Sequence, residues 1–356
     1  MRTVFWKDDK ACMIDQTVLP FQTRILALDT PQEFYDAIYT MKVRGAPAIG
    51  VSGAMGVVLG VKHVAEKTTE AALAALDTIC PYLMDARPTA TNLAWGVERI
   101  WKYAKKKAAL PYQEFYDALV KKVMQMADDE VAIAKRLSDR GAELIPDRGA
   151  NISTHCSCGP LCTIDYGLNM GIVYSAHLQG KKVHVYTDET RPRLQGARLN
   201  TYDLRQQGIP YTLIPDNHAA YLMQLGKIDM VLLGADRVVA NGDTAAKIGV
   251  YSLSIAAKEH GIPVYMCCPF STVDFSKKTG AEIVVEERSP EEVLKIDDTW
   301  IAPPDTPVLN YAFDVTPACY FAGIITEVGI AYPPFTQSLK KLKEIYDREQ
   351  EIRDDD

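Results

Sequence analysis

The chain has 356 residues, enough for two domains, and its 47% hydrophobic and 24% charged content is an ordinary globular balance. A formal net charge of -7 argues against a protein that wraps a nucleic-acid backbone, which needs a basic face, and leaves room only for local basic pockets. Eight cysteines spread unevenly, behind an N-terminus (Met1 to Asp8) that lacks a signal-peptide pattern, read as reduced thiols in a cytoplasmic protein.

Alternation in Thr3-Val4-Phe5-Trp6 and Arg24-Ile25-Leu26-Ala27-Leu28 predicts a small antiparallel sheet at the start of the chain. Thr30-Pro31-Gln32-Glu33 then offers a capping threonine, a proline at the first helical position and an acidic first turn, and Phe34, Ala37, Ile38 and Met41 follow at helical spacing. Beyond it come Arg44, Gly45 and Ala46, small residues around one arginine. That combination lets backbone and guanidinium approach a phosphate closely, although an exposed arginine in a helix-to-helix turn has the same signature. The near-apolar run Ala48 to Val61 is too short and glycine-rich to cross a bilayer, so it reads as a buried helix and no membrane partner is expected. Helices are expected over Ala71 to Leu83, Leu93 to Lys106 and Pro111 to Ala142, the last two with solvated charged faces. Between them, Arg87 precedes Pro88-Thr89-Ala90-Thr91-Asn92, and two arginines at helix starts look like two arms on one anion.

After Gly141 short β-rich runs alternate with helical ones, the pattern of a parallel sheet built from βαβ units. The expected strands are Asn151–Thr154, Lys182–Thr187, Tyr211–Ile214, Met230–Leu233, Pro263–Cys267 and Ile283–Val285. The expected domains are therefore 1–142, of strands and helices, and 143–356, an α/β domain ending in a charged helical tail, Leu339 to Asp356, that should fray.

The chemistry concentrates at Asn151 to Thr163, where Cys156 follows a strand and Gly159-Pro160 turns the backbone. The carboxyl ends of strands in an open α/β sheet collect ligands, and N–H groups of a following helix would favour a thiolate there. Taken alone, a cysteine at a strand end is also what a small buried hydrophobe looks like. Asp236, past the strand Met230–Leu233, is a carboxyl whose pKa desolvation would raise into the range of a general acid; pairing with Arg237 or capping a turn is the plainer alternative. Lys247 is either a phosphate counter-charge or a surface lysine. His155, Cys156, Cys158 and Cys162 offer soft metal ligands, but at the wrong spacing for a zinc knuckle and without a second pair, and His155 fits a hydrogen-bonded core histidine better. No metal site is expected. A redox pair of Cys156 and Cys158 would be strained by the single residue between them.

Five motifs recur together in order: R-G-A-P-A-I-G at Arg44, R-P-T-A-T-N at Arg87, T-H-C at Cys156, D-E-T-R-P-R-L-Q-G-A-R-L at Asp188 and G-A-D-R-V-V-A-N-G-D at Asp236. The set resembles the methylthioribose-1-phosphate isomerases, and the likeness continues through Glu286-Glu287-Arg288, Asn310 to Pro317 and Gly323-Ile324-Ile325-Thr326-Glu327. The resemblance implies a small N-terminal strand-and-helix domain before a Rossmann-like parallel-sheet domain. It also implies a homodimer with a sugar phosphate as substrate and no cofactor. Carried over residue by residue, it makes Cys156 and Asp236 the catalytic pair and places substrate at Arg44, Gly45, Ala46, Arg87, Gln195, Ala246 and Lys247. Related members of the superfamily isomerise ribose 1,5-bisphosphate or are regulatory subunits of initiation factor 2B, so another pentose 1-phosphate, such as 5-deoxyribose 1-phosphate, and a non-catalytic role are the alternatives. The chain departs from the family at Ser157-Cys158, where Asn-Ala is usual, and at Ala246, where asparagine is usual. Losing that amide would cost about 1–3 kcal/mol if its partner stays buried.

Overall fold

The structure, a computed structural model, describes residues 2–88 and 91–355. The chain forms two compact units, Met1–Ile133 with Pro160–Gly167, and Ala134–Gly159 with Leu168–Asp356. The change from one unit to the other falls inside the long helix ending at Ala142, and a short later segment belongs to the first unit.

The first unit opens with strands β1 (Val4–Lys7), β2 (Lys10–Ile14) and β3 (Ile25–Leu28), paired antiparallel in that order. Helices α1 (Pro31–Tyr39), α2 (Ala46–Lys62), α3 (Thr69–Asp85), α4 (Thr91–Lys106) and α5 (Tyr112–Ala142) follow. The Thr30 hydroxyl accepts the Glu33 N–H and the Glu33 carboxylate accepts the Thr30 N–H, the reciprocal cap that sets where α1 begins. Every residue of α2 from Pro47 to Val61 is buried, so this helix forms the middle of the unit's core. The segment Pro160–Gly167 contains a single helical turn, α6 (Pro160–Thr163). It is held by the Thr3 N–H on the Ile164 carbonyl at 2.7 Å and the Gln16 amide on the Leu161 carbonyl at 2.8 Å, and Ile164 enters the core.

The second unit runs β4 (Ala150–Thr154), α7 (Asn169–Leu178), β5 (Val183–Asp188), a π-helical turn Gly196–Asn200 continuing as α8 (Thr201–Gln207), β6 (Tyr211–Ile214), α9 (Ala219–Gln224) and β7 (Met230–Gly234). Then come β8 (Arg237–Val239), β9 (Thr244–Lys247), α10 (Val250–Glu259), β10 (Val264–Cys267), β11 (Val273–Asp274), α11 (Glu291–Leu294), β12 (Lys295–Ile296), β13 (Thr299–Trp300), β14 (Phe313–Thr316), β15 (Gly323–Ile325), β16 (Ile330–Ala331) and α12 (Phe335–Asp355). Seven strands make one sheet in the order β16-β15-β10-β7-β4-β5-β6, parallel except for β16. The chain enters at β4, lays β5 and β6 to one side, then returns to lay β7 on the other. That reversal makes a topological switch point at the carboxyl ends of β4 and β7.

Five of the six expected strands are present in this sheet, within a residue or two of their expected ends. Ile283–Val285 is irregular, and β15 takes its place beside β10. Val284 is 93% exposed, so that short apolar run has no face to bury, whereas Ile324 and Ile325 are fully buried. A second sheet, β11-β8-β9-β14, was not anticipated. The charged tail does not hang loose. Phe335, Leu339 and Leu342 of α12 join the core, and Glu349 pairs with Arg136 at 3.0 Å; Asp356 lies outside the described residues.

Candidate active site

Cys156 lies two residues beyond the end of β4 and is half-buried. Its φ is +62°, a left-handed conformation that a non-glycine residue adopts at a cost of about 1–3 kcal/mol and that persists where surrounding contacts fix it. Those contacts come from the loop after β5. The Cys156 N–H donates to the Thr190 hydroxyl at 2.9 Å, and the Cys156 carbonyl accepts from the Asn200 amide at 2.8 Å. Thr190 is itself fixed: its hydroxyl donates to the Asp188 carbonyl at 3.2 Å, and its N–H donates to the Asp216 carboxylate at 2.6 Å. The Asn200 amide also donates to the Thr187 hydroxyl at 2.9 Å, which ties the π-helical turn to the end of β5. The helix expected directly after the cysteine is only the single turn α6, opened by Pro160, which has no N–H to give. Side chains replace the expected helix N-terminus as the groups that organise the loop.

His155 is 2% exposed, its Nδ1 2.8 Å from the Asp188 carboxylate and its Nε2 2.9 Å from the Ile248 carbonyl. A carbonyl only accepts, so Nε2 carries a proton, and one further proton is shared between Nδ1 and Asp188. Burial raises the Asp188 carboxyl to about 6. For His155 burial acts to lower the pKa, but the hydrogen bond and charge of Asp188 outweigh it and leave the group raised. The imidazole thus links Cys156, its chain neighbour, to Ile248, the neighbour of Lys247.

Among the described residues one group could hold a metal ion, His155, Asp188 and Asp216, and it includes none of the cysteines considered from the sequence. The two Asp216 oxygens accept the Thr190 and Arg191 N–H groups at 2.6 Å each and His155 Nδ1 meets one Asp188 oxygen, which leaves only the other, buried Asp188 oxygen without a hydrogen-bond partner. The group is a hydrogen-bond network.

Asp236 follows β7 by two residues, at the neighbouring strand end to Cys156, and is exposed. The desolvation expected of it is therefore not supplied by the fold around it. Its neighbour Arg237 pairs with Asp274 at 3.4 Å. The loop after β4 touches the end of β7: a Cβ at Gly234 would lie 2.2 Å from Cys158 Sγ.

Gln195, 6% exposed, immediately precedes the π-helical turn, and its Oε1 is buried with no hydrogen-bond partner. Lys247 closes β9 and is 5% exposed rather than on the surface; its Nζ donates to the Ala312 carbonyl at 2.9 Å and sits 4.9 Å from the Phe313 ring centre. Ala246 is fully buried in the apolar cluster with Val238 and Val250. Alternation along a strand sends its methyl to the opposite face from Lys247.

In the first unit, Arg44 is half-buried in the turn between α1 and α2, and Ala46 is exposed at the first position of α2, which has no side-chain cap. Gly45 has φ +97°, and a Cβ there would sit 2.5 Å from the Cys162 Cα, so only glycine fits. Arg87 is half-buried just after α3; Thr89 and Ala90 of its motif lie outside the described residues. The sequence reading gave no role to Thr190, which lies within the motif at Asp188, and did not name Asn200, although both follow a strand whose carboxyl end was the signal for chemistry.

The sequence model of the initiation factor 2 subunit family matches residues 42–333. The chain belongs to this family. It is 46% identical to the methylthioribose-1-phosphate isomerase of Caldicellulosiruptor saccharolyticus, covering 97% of this chain and all of that one. The enzyme of the same name from Carboxydothermus hydrogenoformans is also 46% identical, over 96% of this chain and 99% of its own. Among solved structures, the 5-methylthioribose 1-phosphate isomerase of Pyrococcus horikoshii superposes with a TM-score of 0.92 at 43% identity, covering 97% of this chain and 96% of that one. The structure described as translation initiation factor eIF-2B, subunit delta, from A. fulgidus gives a TM-score of 0.90 at 36% identity, over 96% of this chain and 99% of that one. The resemblance read from the ordered motifs is borne out, and so is the α/β fold with a small N-terminal strand-and-helix region.

Proposed function

We propose that the protein is an aldose–ketose isomerase that converts 5-methylthioribose 1-phosphate into 5-methylthioribulose 1-phosphate, a step of methionine salvage. The observation that carries the reading is the switch point: a strained cysteine and a carboxyl follow adjacent parallel strands, at the edge where α/β folds collect ligands. An aldose 1-phosphate cannot open to a free aldehyde, because its anomeric carbon is held as a phosphate acetal. The ring must open with the phosphate attached. In this reading Asp236 protonates the ring oxygen once bound substrate has taken its carboxyl out of water, and its exposure in the empty site lets it recover the proton afterwards. Cys156 then either carries the proton from carbon 2 to carbon 1 or stabilises a direct hydride shift; deuterium from solvent at carbon 1 of the product identifies the first route. The substrate-binding positions of the reading are Arg44, Gly45, Ala46, Arg87, Gln195 and Lys247, with the cations on the phosphate and the buried Gln195 Oε1 accepting from a sugar hydroxyl. Ala246 belongs to the set by position, but its methyl faces the core.

The reading extends to a cytoplasmic homodimer, which sedimentation of the purified protein tests. Among the described residues no helix is long and apolar enough to cross a membrane. The likeness to the A. fulgidus chain favours a second reading, a non-catalytic regulatory subunit, because one fold hosts both roles. Cys156 and Asp236 at adjacent strand ends favour the enzyme, since a binding module has no use for that pair. The test is turnover of purified protein on methylthioribose 1-phosphate, 5-deoxyribose 1-phosphate and ribose 1,5-bisphosphate. Preference for the first supports the reading, preference for another moves the substrate, and silence on all three favours the regulatory subunit.

A further inference from the structure

Two side chains grip the peptide of Cys156 from opposite ends. Thr190 takes its N–H and Asn200 its carbonyl, at 2.9 and 2.8 Å, across sequence separations of 34 and 44 residues. Both gripping residues are fully buried. Behind Thr190 the chain continues to the Asp216 carboxylate, which accepts the Thr190 N–H, and to the Asp188 carbonyl, which accepts its hydroxyl. The geometry leaves no slack at Gly196, where a Cβ would lie 1.7 Å from the Asp188 carbonyl oxygen and 3.0 Å from the Thr190 hydroxyl. Cys156, Thr190 and Leu194 all have positive φ, so backbone strain is concentrated in the cysteine and the loop that holds it. A free loop would relax out of the left-handed region; this one is fixed by two fully buried side chains that bond to its backbone.

We propose that Thr190 and Asn200 are positioning residues that hold Cys156 in the conformation turnover requires. They act on its backbone and touch no substrate. The proposal rests on the reading of Cys156 as a catalytic residue. Thr190 offers the cleaner test, because valine keeps its shape and removes only the hydroxyl, while serine keeps the hydroxyl.

The experiment compares Thr190→Val, Thr190→Ser and Cys156→Ser in the full chain. For T190V we expect kcat to fall about 10- to 100-fold with KM within about threefold of wild type, the mark of a misplaced reacting group rather than a lost binding contact. T190S should recover most of that kcat. A readout independent of substrate is the rate at which iodoacetamide alkylates Cys156, followed by peptide mass spectrometry. It should change at least about threefold in T190V and much less in T190S, as the thiol's presentation changes with its backbone. Wild-type kcat and alkylation in T190V overturn the proposal, as does a T190S variant that falls as far as T190V, or a KM that rises as much as kcat falls. If T190V and T190S both fail to fold by circular dichroism, Thr190 is a folding residue and the proposal falls. A fully active C156S withdraws the catalytic reading of Cys156 and the proposal with it, whereas an inactive C156S beside an unaffected T190V defeats the positioning role alone.

Discussion

The contact between Gly234 and Cys158 ties the loop that carries Cys156 to the end of β7, two residues before Asp236, and it can be measured by a double-mutant cycle. A Cβ at Gly234 would lie 2.2 Å from Cys158 Sγ and 3.1 Å from its Cβ, where real Cβ atoms essentially never come within 3.0 Å of another heavy atom. The φ of Gly234 lies outside the left-handed range, so alanine pays no backbone penalty there and the cost is overlap alone. Overpacking of this kind costs about 1–3 kcal/mol. Truncating Cys158 to alanine removes the sulfur and leaves only the 3.1 Å approach of its Cβ, which a shift of a few tenths of an ångström relieves. Gly234→Ala alone should therefore lower the thermal midpoint by roughly 3–6 °C, and the double variant with Cys158→Ala should recover most of the loss, a coupling of about 1–2 kcal/mol. The assay is thermal unfolding of the four proteins of the cycle. Additive effects, with Cys158→Ala giving no relief, would refute the placement of Cys158 against the end of β7.

Further outcomes follow from the same geometry. Lys247→Met keeps the buried stem and removes the charge, and should lower kcat/KM about 10- to 100-fold through KM if Lys247 faces phosphate; unchanged kinetics would assign it only to the Ala312 carbonyl. The His155–Asp188 pair makes stability pH-dependent with a definite sign. Both groups are raised in the folded state, Asp188 from 3.8 to about 6 and His155 above its ordinary 6.5. The native pair therefore keeps its shared proton above pH 6.5, where the unfolded histidine has released it. Its contribution is complete below that value and is lost as pH rises through the raised folded one, so denaturant midpoints should fall as pH rises past about 6.5. Asp188→Asn should flatten that slope, and an unaltered slope would refute the shared proton.

Much of the fold was legible in the sequence because local chemistry and burial agreed. Thr30 and Glu33 form the reciprocal cap their spacing announced, and the glycine-rich run from Ala48 is the buried helix its lack of charge required. The strands β7 and β10 are apolar runs with nearly every position buried, and β4 and β5 bury their apolar residues together with the polar ones at their carboxyl ends, Ser153, Thr154, Thr187 and Asp188. Legibility failed where strands are short. Ile283–Val285 looks more like a strand than Gly323–Ile325, and the choice between them lies in which segment reaches the edge of β10, a long-range fact. The sheet containing β8 and β9 escaped notice for the same reason, with strands of three and four residues interrupted by a turn at Asn241 and Gly242.

At the candidate site, the strand-end rule pointed to Cys156 and Asp236, Lys247 was weighed from its own place in the chain, and the resemblance added Gln195. Neither showed what holds the cysteine. Thr190 and Asn200 meet it only after the sheet has brought β4 beside β5, and polar residues 34 and 44 positions away carry no local mark of that contact. Asp236 marks the opposite failure, since its strand is apolar and its carboxyl is nevertheless exposed.

The central claim is that Cys156 and Asp236 together isomerise a methylthio sugar phosphate, and the most direct measurement is turnover of methylthioribose 1-phosphate by wild type, Cys156→Ser and Asp236→Asn. The account predicts conversion to the ketose phosphate by wild type and a loss of at least about 100-fold in kcat in each variant, with folding preserved. Conversion that survives either substitution, or a well-folded wild type that converts nothing, would contradict it.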